Sequence, residues 1–372
     1  MRNRWLLQQL ERARALQQYK LGFEHADSLR TMVELAITFV RNGKYDLAQQ
    51  LNKQIIEIQK AKLGPEHPET ISSMNNFGNS YLVAEKIDQA LPIFEETVKR
   101  AKANLGLGHP ITLNAIVGFS RSLFKYHKTN EIEEYLAQAL PELRKINPTN
   151  VALLRLRGEF RARRGQFKAA DVDFSEAIQM QPGNHLFYHH RTACLIQDRD
   201  LEAYRGNCRQ IVARFAEATD PLVGDRMAKS CSILPASGID LAVLDRWADR
   251  ALAAGEAHWA FPWFLVSKGM VRYRQGRYAS AAETMQKAID DSRIEPGGEV
   301  EAWMVLAMAR HQLGERDRAD SALVRGLELV ETTLPKIESG DLGRYDTWVD
   351  WPFAQALMRE ARSLIEQKPS GQ

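Results

Sequence analysis

Cysteine is scarce in this chain: Cys194, Cys208 and Cys231 are the only thiols among 372 residues. An odd count at wide spacing excludes a disulfide framework, and without a CxxC pair there is no zinc-ribbon signature. A reducing, cytoplasmic environment is therefore expected. Net charge is small as well. The 50 basic and 47 acidic side chains leave a formal charge of +3, a mixed surface without the basic footprint of a nucleic-acid binder. Long apolar runs are missing too. The opening Met1-Arg-Asn-Arg-Trp-Leu-Leu7 meets Glu11 and Arg12 before it reaches signal-peptide length, and no stretch approaches the roughly 18 apolar residues of a membrane span. Neither nucleic acid nor membrane is an expected partner. Two-residue alternation, the mark of a half-buried strand, is absent, and every long segment carries helical spacing. The expected fold is all-α.

What the sequence does contain is internal repetition. Gly22-Phe-Glu-His25-Ala-Asp-Ser-Leu29, Gly64-Pro-Glu-His67-Pro-Glu-Thr-Ile71 and Gly106-Leu-Gly-His109-Pro-Ile-Thr-Leu113 align without gaps, their histidines 42 residues apart. Two helical stretches fill each step, Ile71 to Val83 and Asp88 to about Ala103 in the second, separated by the turn Ala84-Glu-Lys-Ile87. Pro68 and Pro110 suit a first helical turn, and Gly64 and Gly106 suit a left-handed helix stop. From about Asn147 the step shortens to 34 residues. Val151–Asn184 carries Leu154, Gly158, Gly165, Ala170, Phe174, Ala177 and Pro182 at positions 4, 8, 15, 20, 24, 27 and 32 of its unit. Small residues at 8 and 20 let the two helices of a hairpin approach closely, and bulky ones at 4 and 24 fill the gap between neighbouring hairpins. The pattern recurs in Pro262–Arg293 and Val300–Glu331, and more weakly in His185–Ala218 and Asp220–Ala254.

These marks resemble the tetratricopeptide repeat, and the long early units are similar to those of kinesin light chain. The resemblance implies a superhelical solenoid of α-α hairpins. The expected organisation is an unpaired helix in 1–21, three long repeats in 22–146, two 34-residue repeats in 147–218, a degenerate hairpin in 219–257, two repeats in 258–333, and a linker with a capping helix, Asp350 to Ile365, in 334–372. The first helix aligns with the second helix of a repeat whose first helix is absent. It serves either as an N-terminal cap or as the remnant of a longer parent.

The order of long Gly-x-x-His-Pro repeats, 34-residue repeats, the segment Leu334-Pro-Lys-Ile-Glu-Ser-Gly-Asp-Leu-Gly343 and the pair Trp348 and Trp351 resembles the C-terminal repeat region of large bacterial serine/threonine protein kinases. Arg155-Leu-Arg-Gly-Glu-Phe160, Asp200-Leu-Glu-Ala-Tyr204, Thr219-Asp-Pro221, Arg226-Met-Ala-Lys229 and Tyr273-Arg-Gln-Gly-Arg-Tyr278 support it. The resemblance implies an interaction or sensing role. Phosphoryl transfer itself needs a glycine loop, a lysine and two acids in fixed roles. Gly106-Leu-Gly108 lacks the third glycine, Asp173-Phe174-Ser175 places its Phe at a repeat packing position, and His190-Arg-Thr192 lacks the catalytic Asp. No enzyme activity, cofactor or metal is expected. His185, His189 and His190 lack the Glu of a metalloprotease pattern and are read as inter-repeat or groove residues. Cys194 and Cys208 are read as small hydrophobes. Trp247, Trp259, Trp263, Trp303, Trp348 and Trp351 are read mainly as core.

The repeat resemblance also implies a concave wall of first helices, with positions 2, 5, 9, 12 and 13 of each unit facing inward. These give Arg41, Asn75, Asn79, Asn114, Arg121, Lys125, Arg155 and Arg163 as peptide-groove candidates, with Glu159 the main acidic exception. Asparagine can bond an extended backbone through both donor and acceptor, and Arg or Lys can take carboxylates. The expected function is a noncatalytic scaffold binding a protein or an extended, acidic peptide. The alternative is a regulatory portion of, or partner to, a kinase.

Overall fold

The computed structural model describes residues 2–125, 141, 145, 151–235, 237–335, 342 and 348–366. Among them every regular element is a helix. The chain divides into two compact units, residues 1–153 and 154–372.

The first unit contains α1 (Arg2–Leu21), α2 (Ala26–Arg41), α3 (Tyr45–Leu63), α4 (Pro68–Val83), α5 (Ile87–Leu105) and α6 (Pro110–Lys125). Each Gly-x-x-His link ends one helix and starts the next. Gly22, Gly64 and Gly106 have φ of +84°, +91° and +78°, a region where a side chain would be strained. The histidine then caps the new helix. Nδ1 of His25, His67 and His109 accepts the backbone N–H of the residue two positions on, at 3.2, 3.3 and 3.2 Å, satisfying a donor that the helix leaves unpaired. The second helix expected for the third long repeat falls outside the described residues. Leu7 of α1 is buried with Met32, Leu35, Phe39, Leu51 and Ile55, so α1 pairs with α2 through the same core.

First helices α2, α4 and α6 touch one another in succession, while among the described residues α3 and α5 pack chiefly on the helices flanking them. The first helices therefore form the inner layer of the unit. Phe94 at position 24 explains the spacing of that layer. Its ring is fully buried, and a Cβ added at Gly78 of its own hairpin or at Gly118 on the next first helix would run into it.

The second unit contains α7 (Ala152–Arg163), α8 (Phe167–Met180), α9 (His185–Asp198), α10 (Leu201–Phe215), α11 (Pro221–Ser232), α12 (Leu241–Leu252), α13 (Phe261–Arg274), α14 (Tyr278–Ile289), α15 (Pro296–Gln312), α16 (Arg316–Thr333) and α17 (Asp350–Ile365). The packing rule repeats here. A Cβ at Gly158 would fall 2.9 Å from the Phe174 ring, and one at Gly269 would fall 2.7 Å from the Met285 methyl. The bulky residue at position 24 thus reaches the glycine at position 8 of its own hairpin, in addition to filling the space toward the next. Another Gly-x-x-His link, which the alignment passed over, sits at Gly255 (φ +85°) and His258, whose Nδ1 accepts from the Ala260 N–H. The hairpin of α11 and α12 keeps the close approach despite its degenerate sequence, because the Trp247 carbonyl lies 2.8 Å from where a Gly224 Cβ would be. Cys194, Cys208 and Cys231 are buried free thiols. Trp247, Trp348 and Trp351 are buried, but Trp259 is exposed.

Helix α17 packs mainly on the first helices α15 and α9, with an edge against α16, the second helix of the last hairpin. Helices α9, α11, α13 and α15 themselves touch in succession, so α17 lies along the inner layer of this unit. The burial of α15 records that cover. Its residues from Met304 to Ala309 are all buried, Met304 against Gly326 of α16 and Met308 at the inward position 9.

Candidate functional site: the inner walls of the two units

In the first unit the candidates stand on the three inner helices. Arg41 is exposed at the end of α2, Asn75 and Asn79 lie on α4, and Asn114, Arg121 and Lys125 lie on α6, which packs against α4. Asn114 is exposed, and Asn79 and Arg121 are half-buried. Asn75 is 9% exposed, and its Oδ1 finds no hydrogen-bond partner among the described residues. For Lys125 the backbone alone is described. Arg155 and Arg163 belong to the second unit. There Arg155 reaches Glu159 at 3.4 Å. Arg163 is 5% exposed, and its carbonyl accepts the Leu342 N–H at 3.1 Å.

The wall of the second unit is covered by the segment that contains α17. Trp348 stacks on Phe174, with ring centroids 6.2 Å apart, and tilts against His190. Phe353 meets His189 edge-on and lies beneath the Lys229 ammonium. The Pro352 carbonyl accepts from Gln197 at 3.1 Å. Asp350 lies 3.8 Å from Lys229, which also holds Glu301 at 2.9 Å. Further along, Arg274 forks onto Glu360, one arm at 2.7 Å, and donates to the carbonyls of Ser232 and Ile233. Gly297 makes room for the helix start, since a Cβ there would fall 2.6 Å from that of Asp350.

A profile of the tetratricopeptide repeat matches residues 27–103, and a second matches residues 266–326. The first covers α2 to α5, and the second runs from α13 into α16. Those two stretches are tetratricopeptide repeats. No curated protein matches the chain. Among solved structures, the chain is similar to one in the APC/C hetero-tetramer Cut9–Hcn1, at 12% identity with a TM-score of 0.48, covering 95% of this chain and 59% of that one. It is also similar to a tetratricopeptide repeat protein from Parabacteroides merdae, at 12% identity with a TM-score of 0.39, covering 90% of this chain and 100% of that one.

The kinase-like triplet is accounted for by repeat packing. Asp173 is fully buried between Arg157 and Arg161, and Phe174 fills the position-24 site over Gly158. Among the described residues no group of three His, Cys, Asp or Glu is placed to hold a metal ion. His189 Nδ1 pairs with Ser230 Oγ at 2.9 Å, and His185 Nε2 accepts from Arg226 at 2.9 Å.

Burial, with Arg226 beside it, pulls His185 down to about 4 against the opposing Asp220. Burial, with Arg155 and Arg226 adding, pulls His190 down to about 3, and His189 is also well below the ordinary range. Burial pushes the Glu301 carboxyl up to about 8 despite Lys229, with Asp350 and Asp225 adding, and burial raises Asp225 too. Burial works against the Lys229 charge, but Glu301, Asp350 and Asp225 hold it above its usual range.

The two sets act in opposite directions. As pH falls from 6.5 towards 4, the unfolded chain takes up protons on three histidines that the folded chain leaves bare, so stability falls. As pH rises from 4.5 to about 8, the folded chain keeps a proton on Glu301 that the unfolded chain has released, so stability falls again. In the acid window three histidines outweigh Glu301 and Asp225. The melting temperature is expected to peak near pH 6.5, the ordinary histidine value, and Glu301→Gln should flatten the alkaline limb and, by removing the group that opposes the histidines, steepen the acid one. Thermal melts of both proteins across pH 4 to 9 check this, and an unchanged alkaline limb would exclude Glu301 as its source.

Proposed function

We propose that the chain is a noncatalytic scaffold that binds a protein partner along the inner wall of its first unit. Tetratricopeptide repeats are protein-interaction modules, and residues 27–103 are such repeats. The observation that carries the reading is the set of three asparagines and one arginine on packed inner helices, Asn75 and Asn79 on α4 beside Asn114 and Arg121 on α6. Asparagine supplies a donor and an acceptor to an extended backbone, and Arg121, with Lys125 one helical turn on, suits carboxylates. The ligand is therefore an extended, acidic segment. Each exposed ion pair adds only about 0.2–1 kcal/mol, so binding is modest, salt-sensitive and shared among several contacts.

Capture of partners by the full chain, followed by mass spectrometry, identifies the ligand. Arg121→Glu with Lys125→Glu should then weaken it by more than about tenfold, because attraction becomes repulsion at two sites, with circular dichroism unchanged. Binding equal to the parent's would remove this wall as the site.

A second reading is that the chain acts as the regulatory portion of, or a partner to, a serine/threonine protein kinase. It is favoured by the phrases resembling the repeat regions of such kinases, among them Arg226-Met-Ala-Lys229 and the pair Trp348 and Trp351. A kinase domain encoded immediately upstream would support it, and an unrelated neighbourhood would count against it.

A further inference from the structure

The covered wall of the second unit is built in an unexpected way. A surface sealed permanently during folding is most stable when apolar, because replacing a buried ion pair by packed hydrophobic residues is often neutral or stabilising. Here the wall keeps His189, His190, Lys229, Asp225 and Glu301, all buried, and the helix that lies along it brings three more charged residues, Asp350, Arg359 and Glu360. The contacts fall into a ligand-like pattern. Trp348 and Phe353 are aromatic anchors on Phe174, His189 and His190, Asp350 in the first turn of α17 faces Lys229, and Glu360 is clamped by Arg274. Buried aromatic anchors with a paired arginine are what protein interfaces use to concentrate binding energy. Among the described residues α17 has no hairpin partner of its own. It meets the layer of first helices from one side, and Arg362, Ser363 and Glu366 at its far end are exposed.

We propose that residues 348–365 are a resident ligand of this wall, docked reversibly, and that the wall takes in their place a partner protein's helix of the same chemistry. That helix carries an aromatic pair at its start, an acid in its first turn, and a second acid ten residues on, matching Asp350 and Glu360. The resident segment excludes weaker competitors, so partner binding and undocking of α17 are one exchange. The proposal concerns residues 154–372 and stands or falls separately from the reading of the first unit.

Two measurements test it on the full chain. The first is binding of a labelled synthetic peptide spanning 347–367 to the parent and to the double variant Trp348→Ala with Phe353→Ala, which weakens the resident helix and leaves the wall intact. The variant should bind the peptide at least about tenfold more tightly than the parent does. A peptide carrying Asp350→Lys and Glu360→Lys should not bind. A folded variant that captures no peptide, or takes both peptides equally, overturns the proposal. The second is native-state hydrogen exchange on the parent, which decides the matter even if the double variant unfolds. Amides of Leu357 and Ala361 should exchange through an opening that leaves Val266 and Met270 of α13 protected. Exchange of all four only through global unfolding would make α17 an integral part of the core, and the proposal would fail.

Discussion

Phe94→Ala is expected to destabilise the first unit by about 3–5 kcal/mol, the range for deleting a buried phenylalanine from a core that cannot fully collapse. The ring is fully buried and serves two seams at once, lying over Gly78 within its hairpin and against Gly118 on the next first helix. Where the ring meets Gly78 and Gly118, the facing positions carry no side chain that could swing into the space, although Leu82 and Phe119 pack elsewhere in the same cluster. The cavity therefore persists, which places the cost high in its range. Urea unfolding followed by circular dichroism checks the value. Phe94→Leu, which refills part of the volume, should recover a good share of the loss. A loss below about 1 kcal/mol would show that the helices close over the gap, and that position 24 does not set their spacing.

How much of this could be read beforehand follows from the range of each signal. The hairpins were legible because their determinants are local and repeated. Gly64 and Gly106 need a left-handed backbone, Pro68 and Pro110 suit a helix start, and the 42-residue and 34-residue steps count out the units. Gly118 was not legible, since no repeat rule asks for a glycine there and its need is dictated by Phe94 of the preceding hairpin. Capping by His25, His67 and His109 was missed for a different reason. Histidine is an uncommon cap, and its role shows only in the N–H that reaches Nδ1. Among the groove candidates, Arg163 was placed by its repeat position, which is blind to a segment arriving from the other end of the unit to bond its carbonyl. The same blindness applied to α17. Its bounds, Asp350 to Ile365, were readable from periodicity. Its docking depends on Lys229, Arg274 and Glu301, scattered over three helices, and no spacing rule links them.

Lys229→Met is expected to cost about 3–5 kcal/mol at pH 8, the loss typical of removing one partner from a buried ion pair. The methionine fills most of the volume, so the cost is electrostatic. Without the ammonium, Glu301 and Asp225 are left buried with Asp350 nearby, and among the described residues no other cation pairs with Glu301. Carboxyls in that state neutralise by binding protons, so their pKa values in the folded chain rise further above those of the unfolded chain. A raised carboxyl loses stability as pH climbs through its folded value. The destabilisation should therefore be largest at pH 8 and shrink towards pH 5, the reverse of an acid-labile salt bridge between ordinary surface groups. Pairing the change with Glu301→Met should recover part of the loss, since the Lys229 and Glu301 charges are then gone while Asp225 and Asp350 remain without the ammonium. Denaturant unfolding of the three proteins at pH 5 and pH 8 separates the possibilities. If the single variant is as stable as the parent at pH 8, Lys229 and Glu301 are not coupled, and the charge on this wall has no part in holding α17.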